Sequence, residues 1–145
     1  MEHLEEIFSR TSGIPGKSLR GYLMPFFATR GFRVGIYRPP GITPNFHYFE
    51  FSSSTETVGM AYNQENNVAT FSKPIERSWS PNFFLDHEVL HSTIPSYMEV
   101  RILSRELLLT TISPRELAER YPEYAYDAKY WKPDTVAEVL FNYWD

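Results

Sequence analysis

Apolar and polar residues alternate through the middle of the chain. In FRVGIY, the residues Phe32, Val34 and Ile36 fall on one side, and the same period of two continues through HYFEF, TVGMAY and VATF. This is the period of a half-buried β-strand, and the connections are short and rich in turn residues, as in QENN. The pattern predicts an antiparallel meander of four strands, with YMEVRIL, residues 97–103, as a further strand.

Helical patterns flank these strands. Residues 2–9 predict a short helix, and residues 18–29 a longer one interrupted by Pro25, because proline cannot donate a hydrogen bond inside a helix. Towards the end, the segments 113–116 and 135–138 have the form of capping boxes, each of which starts a helix.

These elements predict the fold class. Strand patterns fill the middle of the chain and helix patterns lie at both ends, with no repeat or linker between them. We therefore expect an α+β fold in which residues 1–145 form a single domain. An antiparallel meander of about five strands would have helices packed against it.

The stretch HEVLH carries the spacing of a zinc-peptidase motif. If a helix covered residues 81–93, His87 and His91 would lie on one face and could share a metal, with Glu88 as general base. The apolar residues around the motif do not form one helical face, however, and EVLHSTI could equally be a strand.

A catalytic zinc ion also needs a third protein ligand. No third histidine follows the motif closely, and Glu116 and Glu119 are the candidates further along the chain. We therefore expect neither catalysis nor a bound cofactor. A zinc hydrolase that uses His87 and His91 is the alternative.

The amino-acid composition limits the class of protein and the cellular compartment that we expect. The 145 residues are 42% hydrophobic and 17% aromatic, which suits a folded domain with a dense core. The absence of cysteine excludes disulfides and thiol catalysis. The start, MEHLEEIF, lacks the basic and apolar regions of a secretion signal, and no apolar run could span a membrane. We expect a cytoplasmic protein that does not bind membranes.

Charge is unevenly distributed along the chain. Residues 1–40 carry six basic and three acidic side chains, a balance of +3, whereas residues 86–145 carry six basic and eleven acidic ones, a balance of −5. An arginine-rimmed strand surface at Arg30, Arg33 and Arg38 could in principle contact single-stranded nucleic acid. The overall charge of −4 argues against nucleic acid and favours a basic protein partner.

The acidic end of the chain is also rich in tyrosine. Tyr121, Tyr124, Tyr126 and Tyr130 stand within ten residues, interleaved with carboxylates. A core does not easily hide so many phenol groups, and tyrosine beside carboxylates is typical of a protein interface. The predicted partner-binding residues are Glu123, Tyr124, Tyr126, Asp127 and Asp134.

The tail WKPDTVAEVLFNYWD, at residues 131–145, resembles the small immunity proteins of bacterial toxin systems. These belong to the contact-dependent growth inhibition and related polymorphic-toxin classes. The resemblance implies an acidic cytoplasmic domain that binds and neutralises a cognate toxin domain, often a nuclease. It identifies no individual binding residue.

Overall fold

The computed structural model describes residues 4–41, 45–75 and 83–141, and a six-stranded sheet lies at the centre of this part. The strands are β1 (Arg33–Arg38), β2 (His47–Ser52), β3 (Thr57–Asn63), β4 (Val68–Ser72), β5 (Phe84–Leu85) and β6 (Arg101–Ile102). The first four lie in chain order, and each pairs antiparallel with the next. The predicted α+β fold with an antiparallel meander is confirmed.

Two short strands share the outer edge of β4. β5 pairs antiparallel with its end, at Phe71 and Ser72, and β6 pairs parallel with its start, at Val68 and Ala69. The prediction of one strand over residues 97–103 is wrong. Ser96–Met98 form a 3₁₀ turn, and Glu99 has the left-handed φ of 59°. That conformation breaks an extended run, so only Arg101–Ile102 remain as a strand.

The helices of the described residues flank the sheet: α1 (Leu4–Phe8), α2 (Gly16–Ala28), α3 (Glu88–Thr93), α4 (Arg105–Leu108), α5 (Pro114–Arg120), α6 (Ala125–Tyr130) and α7 (Val136–Leu140). Pro25 lies within α2 and does not end it. Both predicted capping boxes start helices. The hydroxyl of Ser113 accepts from the Glu116 N–H at 3.0 Å, and that of Thr135 accepts from the Glu138 N–H at 3.2 Å.

Helices cover both faces of the sheet, so its central strands are buried on both sides. On one face, Leu19, Leu23 and Phe27 form a stripe of α2 at four-residue spacing and pack on Phe49 and Phe51. The other face of the sheet packs against α1 and the C-terminal helices. Every residue of β4 is therefore buried, including its polar Thr70 and Ser72.

A bulge changes the predicted orientation of β1. The pattern placed Phe32, Val34 and Ile36 on one face, but the pairing with β2 shifts between Val34 and Tyr37. The extra residue reverses the alternation, so Tyr37 joins Val34 against the α2 core and Ile36 is 44% exposed. A period-two pattern in the sequence does not reveal a single inserted residue of this kind.

The turn between β3 and β4, residues 63–67, connects distant segments by hydrogen bonds. The Asn63 Nδ2 donates to the Leu140 carbonyl at 2.8 Å, at the end of α7. The Asn66 Nδ2 donates to the Ile7 carbonyl at 2.9 Å and to the Tyr124 hydroxyl at 2.8 Å. These amides satisfy buried acceptors that water cannot reach. The turn therefore joins the first and last described helices to the sheet.

We expect Asn66→Ala to lower the free energy of unfolding by about 1–3 kcal/mol, because it leaves the buried Ile7 carbonyl without that donor. Urea unfolding measures the change. Glu65→Ala is the matched control in the same turn, since the Glu65 side chain is 74% exposed. Equal stability of the two variants would contradict the role of the turn.

Candidate functional site

The tyrosine-rich segment divides between core and surface. Tyr121 and Tyr124 are buried, at 5% and 3% exposure, whereas Tyr126 and Tyr130 are 65% and 61% exposed. Tyr121 and Tyr124 both pack on the ring of Phe8. The core therefore takes two of the four phenol groups, and the other two face solvent from α6.

The two exposed tyrosines form a pair. They lie four residues apart in α6, on the same helical face, and their ring centroids are 4.4 Å apart. Trp131, which follows α6 directly, is 38% exposed. We call Tyr126, Tyr130 and Trp131 together with Glu123 and Asp127 the α6 surface.

Two carboxylates stand close to this aromatic pair along the chain. Glu123 is exposed and Asp127 is half-buried. Burial raises the pKa of Asp127 above its ordinary value, and the nearby Arg10 guanidinium opposes that rise. Arg10 also lies 4.7 Å from the centre of the Tyr124 ring. Arg10 thus compensates part of the negative charge around Asp127, whereas no ion pair of the described residues involves Glu123.

Tyr124 does not belong to the predicted surface. Its hydroxyl donates to the Phe8 carbonyl at 2.9 Å and accepts from the Asn66 amide at 2.8 Å. A phenol with an apolar ring and a polar tip suits such a position, because the ring fills the core while the hydroxyl satisfies a buried carbonyl. The prediction of Tyr124 as a partner-binding residue is corrected to a structural role.

Asp134 lies in the loop that leads into α7. Its carbonyl accepts from the Ile112 N–H at 2.9 Å, and its own N–H donates to the Glu138 carboxylate at 2.6 Å. These bonds hold the backbone of the loop and leave Asp134 exposed. Of the five predicted residues, Glu123, Tyr126, Asp127 and Asp134 are at least partly accessible.

The histidine motif does not form the helical pair that its spacing suggests. His87 precedes α3 as its N-cap, with φ −127° and ψ 88°. Its Nδ1 accepts from the Leu90 N–H at 3.2 Å, and its Nε2 lies 3.0 Å from a Glu56 carboxylate oxygen. Both ring nitrogens are therefore engaged within the protein.

The rest of the proposed metal site is not assembled either. Residues 81 and 82 of the expected helix lie outside the described residues, Phe84–Leu85 are a strand, and only Glu88–Thr93 are helical. His87 and His91 do line one cleft of about 240 Å³. The two candidate third ligands instead form arginine ion pairs along α5. No group of three metal-ligating side chains occurs in the described parts of the chain.

A groove that the sequence analysis missed lies between α2 and the turn Ser96–Met98. It encloses about 620 Å³, and Tyr22 and Tyr97 border it with 57% and 75% exposure. Gly21 and Pro25 line its α2 side. The sequence did contain a signal for this groove, namely a glycine and a proline four residues apart inside a predicted helix. These residues destabilise a helix by about 1 and about 3 kcal/mol relative to alanine.

A second missed feature is a partly buried chain of polar groups around His47. The Tyr37 hydroxyl lies 2.9 Å from Nδ1, and Gln64 Oε1 lies 3.0 Å from Nε2. Because Gln64 Oε1 also accepts from the Gly16 N–H, Nε2 carries the proton and Nδ1 accepts from Tyr37. A side chain at Gly16 would overlap the imidazole ring, so glycine is required there.

Comparison with protein-family models, with curated proteins and with solved structures finds no match for this chain. Within residues 4–41, 45–75 and 83–141, no helix has the length and apolar character needed to cross a membrane.

The division of the tyrosines predicts that the same substitution has a large effect on stability at Tyr124 and a small one at Tyr126. Tyr124→Phe leaves the Phe8 carbonyl without its donor and is expected to cost about 1–3 kcal/mol of stability. Tyr126→Phe, the matched control, should change stability by less than about 0.5 kcal/mol. Chemical denaturation of both variants measures the difference. Similar losses in the two would contradict the assignment of Tyr126 to the surface.

The His47 network predicts a pH dependence. Burial lowers the pKa of His47 in the folded protein below its ordinary 6.5. As the pH falls, the unfolded chain therefore binds a proton at His47 before the folded protein does. The stability that neutral His47 contributes is fully present above about pH 6.5 and is lost as the pH falls through the pKa of His47 in the folded protein.

We expect wild type to lose more unfolding free energy than His47→Gln between about pH 7.5 and about pH 5. Urea unfolding at both pH values measures this double difference. His91→Gln is the control, because His91 is exposed. If His47→Gln loses as much stability as wild type over this pH range, the folded protein does not hold His47 in its neutral form as we infer.

Proposed function

We propose that this protein is an immunity protein that binds and neutralises a bacterial toxin domain, and that the α6 surface is part of its interface. The observation that supports this most strongly is the exposed pair Tyr126 and Tyr130, with centroids 4.4 Å apart. The two rings form a tilted, largely exposed pair, and tyrosine is among the residues that dominate binding energy at interfaces.

The fold does not require this pair. Ala128, on the inner side of α6, is buried and supplies the contact with the core. Neither Tyr126 nor Tyr130 belongs to the two core clusters. The fold needs only soluble side chains at these two positions. The presence of two large aromatic rings there therefore supports a role in binding.

Charge supports a basic partner. The last sixty residues, 86–145, have a balance of −5, from six basic and eleven acidic side chains. Glu123 and Asp127 stand close to the tyrosines along the chain, while the Lys129 Nζ lies over the Tyr130 ring, 5.8 Å from its centre. Toxins that act on nucleic acid have basic substrate sites, so carboxylates near an aromatic anchor would speed association and orient the complex.

The proposal assigns no chemistry and no cofactor to the protein. Neutralisation needs only a complex that blocks the toxin, in the cytoplasm where the toxin acts. The resemblance of the tail at residues 131–145 to immunity proteins points the same way; of that tail, residues 142–145 lie outside the described parts of the structure.

The test is co-expression with the product of the neighbouring gene, scored by its toxicity to the host, by the growth that this protein restores and by purification of the complex. We expect wild type to restore growth. Tyr126→Ala/Tyr130→Ala should weaken the complex by more than about tenfold, because it removes the aromatic anchor. Val89→Ala, at another exposed apolar position, is the control and should bind like wild type.

Glu123→Gln/Asp127→Asn should slow association mainly at low salt, measured by surface plasmon resonance. The proposed function is wrong if no neighbouring product is toxic, or if this protein does not rescue growth. Full protection by the double alanine variant would instead exclude the α6 surface as the interface.

A further inference from the structure

The outer edge of β1 carries no paired strand among the described residues. β1 stands at the end of the strand order, and no strand within residues 4–41, 45–75 and 83–141 pairs with its outer side. The opposite edge of the sheet differs, because β5 and β6 both pair with the outer side of β4. An edge strand presents backbone N–H and C=O groups with which a further strand can pair.

The side of β1 that points away from α2 carries two cations around an apolar residue. Val34 and Tyr37 pack in the α2 core, so Arg33 and Arg38, their neighbours in an alternating strand, point the other way. The bulge places Ile36 between these two arginines, 44% exposed and outside both core clusters. We call Arg33, Ile36 and Arg38 the β1 face.

The two arginines of the β1 face differ in their contacts. Arg38 donates to the Ile75 carbonyl at 2.7 Å, and its guanidinium carbon lies 5.2 Å from the centre of the Tyr48 ring. Arg33 is exposed and makes no ion pair or side-chain hydrogen bond with the described part of the chain. Arg38 is therefore held in place, whereas all the donors of Arg33 are free for a partner.

The chain around β1 is positively charged. Residues 7–49 contain six basic side chains and no Asp or Glu. In the neighbouring strand, the Glu50 carboxylate accepts from the Tyr48 hydroxyl at 2.8 Å. In the turn after β2, the Glu56 carboxylate lies 3.0 Å from the His87 Nε2. Both of these carboxylates are already engaged, so the charge of the β1 face favours an acidic partner.

We propose that the outer edge of β1 pairs with an extended acidic segment of a partner protein, which adds a strand to the sheet. Backbone hydrogen bonds would hold the added strand in place. Two of its carboxylates would pair with Arg33 and Arg38, and an apolar side chain between them would cover Ile36. Residues on one side of a strand stand two positions apart, so the segment has an acidic, apolar, acidic pattern at alternate residues.

Two other occupants fit the β1 face less well. If two copies of this chain paired antiparallel along the whole of β1, Arg33 of one copy would oppose Arg38 of the other, and like charges directly opposite destabilise a strand pair. Single-stranded nucleic acid is bound through aromatic rings on which its bases stack. The β1 face offers Ile36 instead, because the ring of Tyr48 is buried and that of Tyr37 packs in the α2 core.

The inference rests neither on the α6 surface nor on a toxin partner. β1 and α6 are separate elements, and the edge can be probed with a synthetic peptide. Failure of the peptide to bind would leave the proposed function untouched, and failure to rescue growth would leave this inference untouched.

The probe is the peptide acetyl-TETVTET-amide, titrated into the full-length ¹⁵N-labelled protein and followed by NMR. We expect saturable shifts at the amides of residues 33–38, with a dissociation constant of about 0.1–1 mM for one short strand. Hydrogen exchange of these amides should slow when the peptide binds, because the added strand protects them.

Two further peptides separate charge from backbone pairing. Acetyl-TKTVTKT-amide has the same length and spacing but the opposite charge, and it should bind at least about tenfold more weakly. The acidic peptide with N-methyl groups on its three central residues keeps the charge but loses its central N–H donors. It should give no saturable shifts, because pairing to a sheet edge depends on the main chain.

Two variants locate the site on the protein. Arg33→Glu should weaken binding of the acidic peptide by about tenfold or more, because it removes a charge-assisted hydrogen bond and adds repulsion. Arg30→Glu is the matched control. It makes the same charge change at an exposed position before β1, and it should weaken binding by less than about threefold. Thermal melts of both variants verify that they fold, and the three peptides test the edge on wild type independently.

Absence of saturable shifts up to about 10 mM acidic peptide would overturn the proposal. Equal binding of the N-methylated peptide would show charge attraction without strand pairing, and equal binding of the lysine peptide would show pairing without charge selection. Either result contradicts recognition of an acidic strand. Equal losses in Arg33→Glu and Arg30→Glu would exclude the β1 face. Tighter binding of an oligothymidylate, or a dimer of the free protein that the peptide disrupts, would assign the edge to nucleic acid or to a second copy instead.

Discussion

The turn between β3 and β4 is the constraint on which the rest of the structure depends. Its Asn63 and Asn66 side chains donate to the carbonyls of Leu140 and Ile7, and Gln64 accepts from the start of α2. A buried carbonyl without a partner is expensive, so each of these contacts fixes where a helix can dock. One polar turn thereby orders helices on both faces of the sheet.

A sheet covered on both faces leaves little of itself for binding. Among the described residues, the most exposed aromatic side chains lie instead on the outer sides of the covering elements, at Tyr126 and Tyr130 on α6 and at Tyr22 and Tyr97 around the groove. Both places combine aromatic rings with carboxylates. Tyrosine beside carboxylate therefore recurs at two places that are built from separate elements.

The successes and failures of the sequence patterns have clear physical causes. Period-two alternation located β1 to β4, and local capping hydrogen bonds located the starts of α5 and α7, because both signals depend on neighbouring residues. Three features depend on the backbone conformation of a single residue: the bulge before Tyr37, the left-handed Glu99 and the cap at His87. A periodic pattern describes several residues together and does not reveal such a local change. The same limit made HEVLH look like a metal site, since spacing implies geometry only if both histidines are helical.

The amino-acid sequence by itself determined the α+β class, the order of the strands along the chain, the helix caps and the excess of aromatic residues near an acidic end. These follow from local periodicity, local hydrogen bonding and composition. Only the tertiary structure decided which tyrosines are buried, because the choice between Tyr124 and Tyr126 depends on a carbonyl at Phe8 and an amide at Asn66, far away in the chain. It also brought Gly21, Pro25 and Glu99 to one groove, since long-range packing alone sets the distance between α2 and the turn before β6.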